Sequence, residues 1–352
     1  MYNILAIRER FEHIAEVSGY DSMYSHFPAD VETESIFCNF KKMYPRGVGR
    51  LMQSASKLSG GSGFYNAQSF EAEAGMFFKV TRKRFNMIHY THGEPYFGFG
   101  SVFKKISKTP MVITNHQPAT WWAHHHHLIK KYSVADKVIS LTEHDRDNFN
   151  ELAPGKAVCI PHGVNTDFFR PAPVKTNNGQ FTALFTGRYL RDMETLAAVV
   201  KKLSTKPIRF NIVYTAKSEA HDTYLKEIME LPNVHWYSNI EISHLLELYQ
   251  QADCLLLPLL DCTANNAVLE AMASGLPIVS TDLPAIHTYV DPSMSILGKK
   301  GNVDKLCEAV LALYKDEQLR KNMAAAARER AVTRFDWGKI ADDTLLLFKS
   351  LG

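Results

Sequence analysis

Short, nearly continuous apolar runs alternate along the chain with longer stretches in which apolar residues return every three or four positions. The runs NILAI (3–7), FNMIHY (85–90), MVITNH (111–116), KVISLT (137–142) and AVCIPHG (157–163) predict strands in the first half. FTALFTG (181–187), RFNIVYT (209–215), VHWYS (234–238), CLLLPL (254–259) and PIVSTD (277–282) predict strands in the second. ETLAAVVKKLS, ISHLLELYQQA and the long VDKLCEAVLALYKDEQLRKNMAAAARERAV carry the helical spacing. The closing DWGKIADDTLLLFKSLG spaces Ile340, Leu345, Leu346 and Phe348 as the buried face of a terminal helix. Strand–helix alternation with apolar strands predicts parallel sheets covered by helices. RPAPVKTNNGQ (170–180) has neither period and reads as a linker. The predicted fold class is therefore α/β, with two Rossmann-like domains facing a central cleft. The linker divides the chain into a first domain over residues 1–170 and a second that begins at 171.

Composition narrows the class. A chain of 352 residues is long enough for two domains, and 45% hydrophobic with 22% charged residues is the balance of a soluble globular protein. No run of about 18 apolar residues predicts a membrane-spanning helix. MYNILAIRERF reads as a first strand and lacks the layout of a signal peptide. The five cysteines are scattered, with no CxxC spacing, which argues against a disulfide framework and for a reducing cytoplasm.

The net charge of +3 is unevenly spread. Residues 1–170 hold 20 Lys and Arg against 16 Asp and Glu, with basic clusters at KKMYPRGVGR (41–50), KVTRKRF (79–85) and FKKISK (103–108). Two readings stand: solvated faces, or attraction to an anionic surface such as the inner leaflet of the cell membrane or a phosphorylated acceptor. No aromatic–basic module points to nucleic acid.

One carboxylate is out of place in its pattern. Glu270 sits among Ala267, Val268, Leu269, Ala271, Met272 and Ala273. Thr263, Asn265 and Asn266 are competent helix caps, and Gly275 with Pro277 supplies a stop. The amides at that helix start form a natural phosphate site. A carboxylate one turn further in suits a sugar diol. The alternative is a partly exposed Glu270 that caps or pairs with a surface lysine.

Other motifs are weaker. HHHH (124–127) spreads its rings over different helix faces, which disfavours a closed metal site. DRD (145–147) falls at a likely helix start, where acids suit the dipole. SGGSG (59–63) reads as a loop on the acceptor side. Trp121 and Trp122 either stack on a sugar or pack the core.

TANNAVLEAMASGLPIVSTD resembles the donor-binding segment of GT-B fold glycosyltransferases, in particular the retaining family 4 group. LFTGRYLRDMETL, CIPHGVNTDFFRP, HLLELYQQADCLLLPLL and RFDWGKIADDTLLLFKSL resemble neighbouring segments of that family. The likeness is strong over about residues 157–350 and weaker before, where PMVITNHQP and ADKVISLTEHDRDNF carry it. The resemblance implies transfer of a sugar from a UDP- or GDP-linked donor to an acceptor hydroxyl, with retention and without a metal or other cofactor. It implies a donor-binding domain over residues 171–334 and an acceptor-binding domain over residues 1–170, completed by 335–352 because the closing helix crosses back.

Residue by residue, the resemblance puts Glu270 on the nucleotide ribose. Asn265 and the backbone of Asn266, Ala267 and Val268 would hold the diphosphate. Arg188 would stabilise the leaving group, His116 would stand near the donor sugar, and Gly19 would face the diphosphate or the acceptor. Two positions depart from the family: Cys262 stands where a second glutamate is usual, and Met193 where a lysine is usual. Arg191 is the candidate substitute for that lysine, against a salt bridge to Asp192 or Glu194. A lipid-linked or otherwise anionic acceptor, peripheral membrane contact and a place in cell-surface glycan or polysaccharide biosynthesis complete the expectation. A non-catalytic nucleotide-sugar binder, kept open by Cys262, and a sugar-nucleotide epimerase are the alternatives.

Overall fold

The computed structural model describes residues 1–9, 17, 19–39, 41–173, 179–214 and 223–352. Part of the expected linker, residues 174–178, lies outside them. Among the described residues the chain divides into two compact units, Met1–His162 with Trp337–Gly352, and Gly163–Asp336.

The first unit is built on β1 (Tyr2–Glu9), β2 (Val31–Cys38), β3 (Met87–Tyr90), β4 (Met111–Asn115), β5 (Lys137–Ser140) and β6 (Ala157–Cys159). They form one sheet in the order β2-β1-β3-β4-β5-β6. Every pairing is parallel. β3 and β4 are buried at every position, which explains their mainly apolar sequence. β2 is an edge strand whose VETESIFC opens with two glutamates set among Val31, Thr33 and Ser35, so the search for apolar runs passes over it.

The second unit repeats the plan with β7 (Phe181–Thr186), β8 (Ile208–Val213), β9 (Val234–Tyr237), β10 (Cys254–Leu257), β11 (Ile278–Thr281) and β12 (Ser295–Gly298). Its order is β12-β11-β10-β7-β8-β9, again parallel throughout. Only the short edge strand β12 escapes the sequence pattern here. The predicted long helix is two, Val303–Lys315 and Glu317–Arg334. Asp316 divides them because its carboxylate accepts from the Leu319 amide and caps the second.

The last helix, Trp337–Lys349, belongs to the first unit. It packs on the short 3₁₀ helix Tyr20–His26 and buries Trp337, Ile340, Leu345 and Phe348. Leu346, expected on the buried face, is 71% exposed, because consecutive helical positions diverge by about 100° and Leu345 takes the inward one. No helix among the described residues is long and apolar enough to cross a membrane.

Candidate functional site

In the second sheet β8 and β9 extend from one side of β7, and β10, β11 and β12 from the other. The strand order reverses between β7 and β10, and open α/β sheets bind ligands beyond the strand ends at such a reversal. The loop after β7 turns through two left-handed residues, Gly187 at φ 86° and Leu190 at φ 59°. A Cβ on Gly187 would stand 2.9 Å from Arg191 Nη2, so the glycine serves both the turn and the close approach of the guanidinium.

Arg191 is held from three sides. Its Nε donates to Thr186 O at 3.1 Å, Nη1 to Tyr189 O at 3.1 Å and Nη2 to Asn265 Oδ1 at 3.3 Å. Burial pulls its pKa down to about 10, while Tyr249, Cys262 and Glu270 act the other way, so it stays charged at neutral pH. Asp192 spends its carboxylate on Thr195 N and Oγ1, at 3.0 and 2.7 Å. The guanidinium therefore points toward the loop after β10.

That loop leads into the helix Asn266–Ala273. Asn265 is the cap, accepting from Val268 N. The amides of Asn266 and Ala267 are the first two of the helix and stand outside its hydrogen-bond ladder. Glu270 is only 6% exposed. Its Oε2 accepts a 2.9 Å hydrogen bond from the hydroxyl of Tyr249, a fully buried residue on the helix Ile242–Gln251. The same hydroxyl lies 3.2 Å from Thr186 Oγ1. Burial, then the charge of Glu270, holds the Tyr249 phenol well above its usual range, so it remains a donor. The exposed-carboxylate alternative for Glu270 is thereby set aside.

Arg191, Asn265, Asn266, Ala267, Val268 and Glu270 come together around this reversal. Arg188 lies on the same loop as Arg191, exposed. Cys262 and Met193 are buried, so a thiol and a thioether occupy positions where the resemblance would put charges. Sequence reasoning missed Tyr249 and Thr186. A tyrosine on the inner face of a helix must find a partner for its hydroxyl, which is the available signal. Its partner, 21 residues further on, is not readable from spacing.

His116 and Gly19 belong to the first unit. Gly19, at φ 155° and ψ 155°, opens the 3₁₀ helix Tyr20–His26 in backbone space that suits glycine. His116 follows β4, and its amide donates to Glu94 Oε1 at 2.7 Å, as does that of Gln117 at 2.8 Å. Its Nε2 donates to Thr91 O at 2.8 Å, which leaves Nδ1 as the acceptor of a neutral ring. The ring stacks on His92 at 4.0 Å and meets Tyr20 edge-on at 5.1 Å.

This is one corner of a histidine cluster. His89 contacts Tyr24 Oη at 2.6 Å and Thr114 Oγ1 at 2.9 Å, and His162 packs on Trp337 at 4.9 Å. Burial pushes His89 and His92 down to about 3. Burial, with His92 and His162 beside it, puts His116 well below its ordinary value. Glu94, which orients the His116 loop, is raised by burial to about 7. The cluster was invisible in sequence because its histidines come from three separate strands, β3, β4 and β6, and the loops after them.

The remaining motifs have structural roles. Asp145 accepts from Thr142 Oγ1 at 2.7 Å and from Ala119 N at 2.9 Å, and Asp147 pairs with Arg146. Trp122 is buried, and Trp121 stacks on His125 at 3.8 Å. Ser62 of the glycine-rich loop is buried and donates to Glu94 O.

Two parallel six-stranded α/β sheets, with the final helix returned to the first unit, define the GT-B class of glycosyltransferase fold. Residues 180–316 match the family Glycosyl transferases group 1. The chain is 26% identical over 210 residues to phosphatidyl-myo-inositol mannosyltransferase of Mycobacterium leprae, covering 57% of this chain and 55% of the relative. It is 23% identical over 321 residues to MMP alpha-(1->4)-mannosyltransferase of Mycolicibacterium hassiacum, covering 82% and 76%. Sucrose-phosphate synthase from Thermosynechococcus elongatus shares the fold at TM-score 0.76 and 17% identity, over 100% of this chain and 99% of that one. Anabaena Alr3699/HepE, solved in complex with UDP-glucose, does so at TM-score 0.70 and 14% identity, over 100% of both. Over residues 180–316 the chain is thus similar to the group 1 glycosyltransferases, and as a whole it shares their fold. Its alignment spans about half the length of the first of these relatives and about three quarters of the second.

Proposed function

We propose that the protein transfers a hexosyl group from a UDP- or GDP-linked sugar to an acceptor hydroxyl, with retention, in the synthesis of a cell-surface glycan or polysaccharide. The observation that carries the donor half is the buried Glu270, held by Tyr249 beside the capped start of the helix Asn266–Ala273. In this reading Glu270 accepts from the ribose hydroxyls. The amides of Asn266, Ala267 and Val268 face the diphosphate, although Val268 N already shares its hydrogen with Asn265. Sugar transfer breaks the bond from the anomeric carbon to a diphosphate oxygen, and negative charge builds on that oxygen. Arg191, fixed in place, and Arg188, exposed and able to move, supply the opposing charge. His116, its amide held by Glu94 and its neutral ring by Thr91 O, stands near the donor sugar, and Gly19 faces the diphosphate or the acceptor. The names of the relatives, two of them mannosyltransferases, support a hexose donor. The basic clusters of the first unit support a lipid-linked or otherwise anionic acceptor at a membrane's cytoplasmic face.

The test is thermal unfolding with UDP, GDP, ADP, dTDP and their sugar conjugates on wild type and Glu270→Ala. A cognate nucleotide at 100 times its Kd stabilises the folded state by about 2.7 kcal/mol. The expected outcome is a shift for one base, lost in Glu270→Ala, with transfer from the matching sugar nucleotide. A protein that no nucleotide stabilises would refute the donor site.

A further inference from the structure

The helix Arg46–Leu58 in the first unit is apolar on a side that faces outward. Val48, Leu51 and Leu58 are 48%, 70% and 83% exposed, and Met43 just before it is 91% exposed. Val48, Leu51, Ala55 and Leu58 repeat at intervals of three and four, so they form one stripe. Arg46, Arg50, Gln53 and Lys57 form a second stripe, about 150° around the helix from the first. Ser56 is the helix's buried residue, on the side turned to the helix Ala67–Val80.

The element is firmly seated all the same. Lys131 Nζ donates to Ser59 O at 2.6 Å just past its end. Before its start Tyr44 Oη donates to Glu71 Oε2 at 2.6 Å, and Gln68 Nε2 to Lys42 O at 2.9 Å. The exposed leucines therefore sit on a fixed platform.

We infer that this helix is the membrane-contacting surface of the protein and that its occupant is an anionic phospholipid leaflet. Charge complementarity selects the occupant. No Asp or Glu occurs between Glu34 and Glu71, while Lys41, Lys42, Arg46, Arg50 and Lys57 fall within that interval. Lys42 pairs with Glu71, and Arg46, Arg50 and Lys57 are exposed. An aliphatic face with a cationic face across the helix from it, and no acid, is the pattern of a helix lying in the lipid interface. Nucleic acid would be met by aromatic platforms, and the stripe holds Met, Val and Leu instead. The inference rests on the membrane part of the proposed function and is independent of the donor site.

The experiment is co-sedimentation of the full chain with phosphatidylcholine vesicles, with and without phosphatidylglycerol. Wild type is expected on the anionic vesicles, with binding weakened by 1 M salt, which cuts the Debye length to about 3 Å. Leu51→Glu with Leu58→Glu is expected to bind at least ~10-fold less, from the lost apolar burial. Arg50→Gln with Lys57→Gln should lose the preference for phosphatidylglycerol. All four side chains are exposed, so melting temperatures should match wild type, and Leu58→Ser is the milder variant if the double glutamate does not fold. Equal binding by the leucine variants overturns the inference, as does indifference to vesicle charge. Sedimentation velocity without lipid supplies a third overturning outcome, a wild-type dimer that the leucine variants dissolve. Nucleotide-induced thermal shifts on the same samples report the donor site separately, so failure of one reading is distinguishable from failure of the other.

Discussion

Glu270 interrupts an apolar helix, and its partner explains how it is tolerated. A buried carboxylate without a hydrogen bond is strongly disfavoured, and Tyr249 supplies one at 2.9 Å. A hydrogen bond to a charged group contributes about 1.5–3 kcal/mol, so Tyr249→Phe should weaken nucleotide binding as well as the fold. A merely structural tyrosine would lower stability alone. A double-mutant cycle of Tyr249→Phe with Glu270→Gln on nucleotide affinity separates the two roles. A coupling of roughly 0.5–3 kcal/mol is expected, and additive effects would show that the hydroxyl does not position the carboxylate.

The start of the helix Asn266–Ala273 joins two loops. Asn265 Oδ1 accepts from Val268 N within the helix and from Arg191 Nη2 across to the loop after β7. Asn265→Ala should cost about 1 kcal/mol in stability through the lost cap. It should also lower turnover, because Arg191 loses one of its three anchors. Asn265→Asp keeps the cap and offers the guanidinium a carboxylate, so stability should return. Denaturant melts and steady-state kinetics on both variants check this. Normal turnover in Asn265→Ala would remove Arg191 from the leaving-group role.

Across the whole molecule, the buried titratable groups of the first unit set opposing pH dependences. His89 and His92 titrate at about 3 and His116 well below 6.5, so between those values the unfolded chain binds more protons and stability falls as pH drops. Glu73 and Glu94 are raised to about 7, so the folded chain binds more protons from 4.5 to 7 and stability falls as pH rises. Between 4.5 and 6.5 the three imidazoles outnumber the two carboxyls, for a net loss toward acid of at most about 1.4 kcal/mol per pH unit. Above 6.5 the carboxyls act alone, so these five groups place maximum stability near pH 6.5. Below 4.5 the imidazoles act alone and the loss steepens. Urea melts from pH 4 to 8 should show this, with a shallower acid limb in His89→Gln. A wild-type stability that increases steadily toward acid would contradict it.

The sequence alone determined what depends on near neighbours. Alternating apolar periods produced ten of the twelve strands among the described residues and the two-part α/β plan, because burial on both faces demands continuous apolar runs. The capping residues before Ala267 and the stop at Gly275 were likewise legible, being set within a few residues. The edge strands β2 and β12 were not, since a strand open on one side need not be apolar throughout. Only the tertiary structure decided what joins distant segments. It made Tyr249 the partner of Glu270, turned Arg191 toward Asn265 rather than Asp192, and gathered the histidines at the ends of the first sheet. Strand order brings those groups together, and strand order depends on long-range packing that no local spacing records.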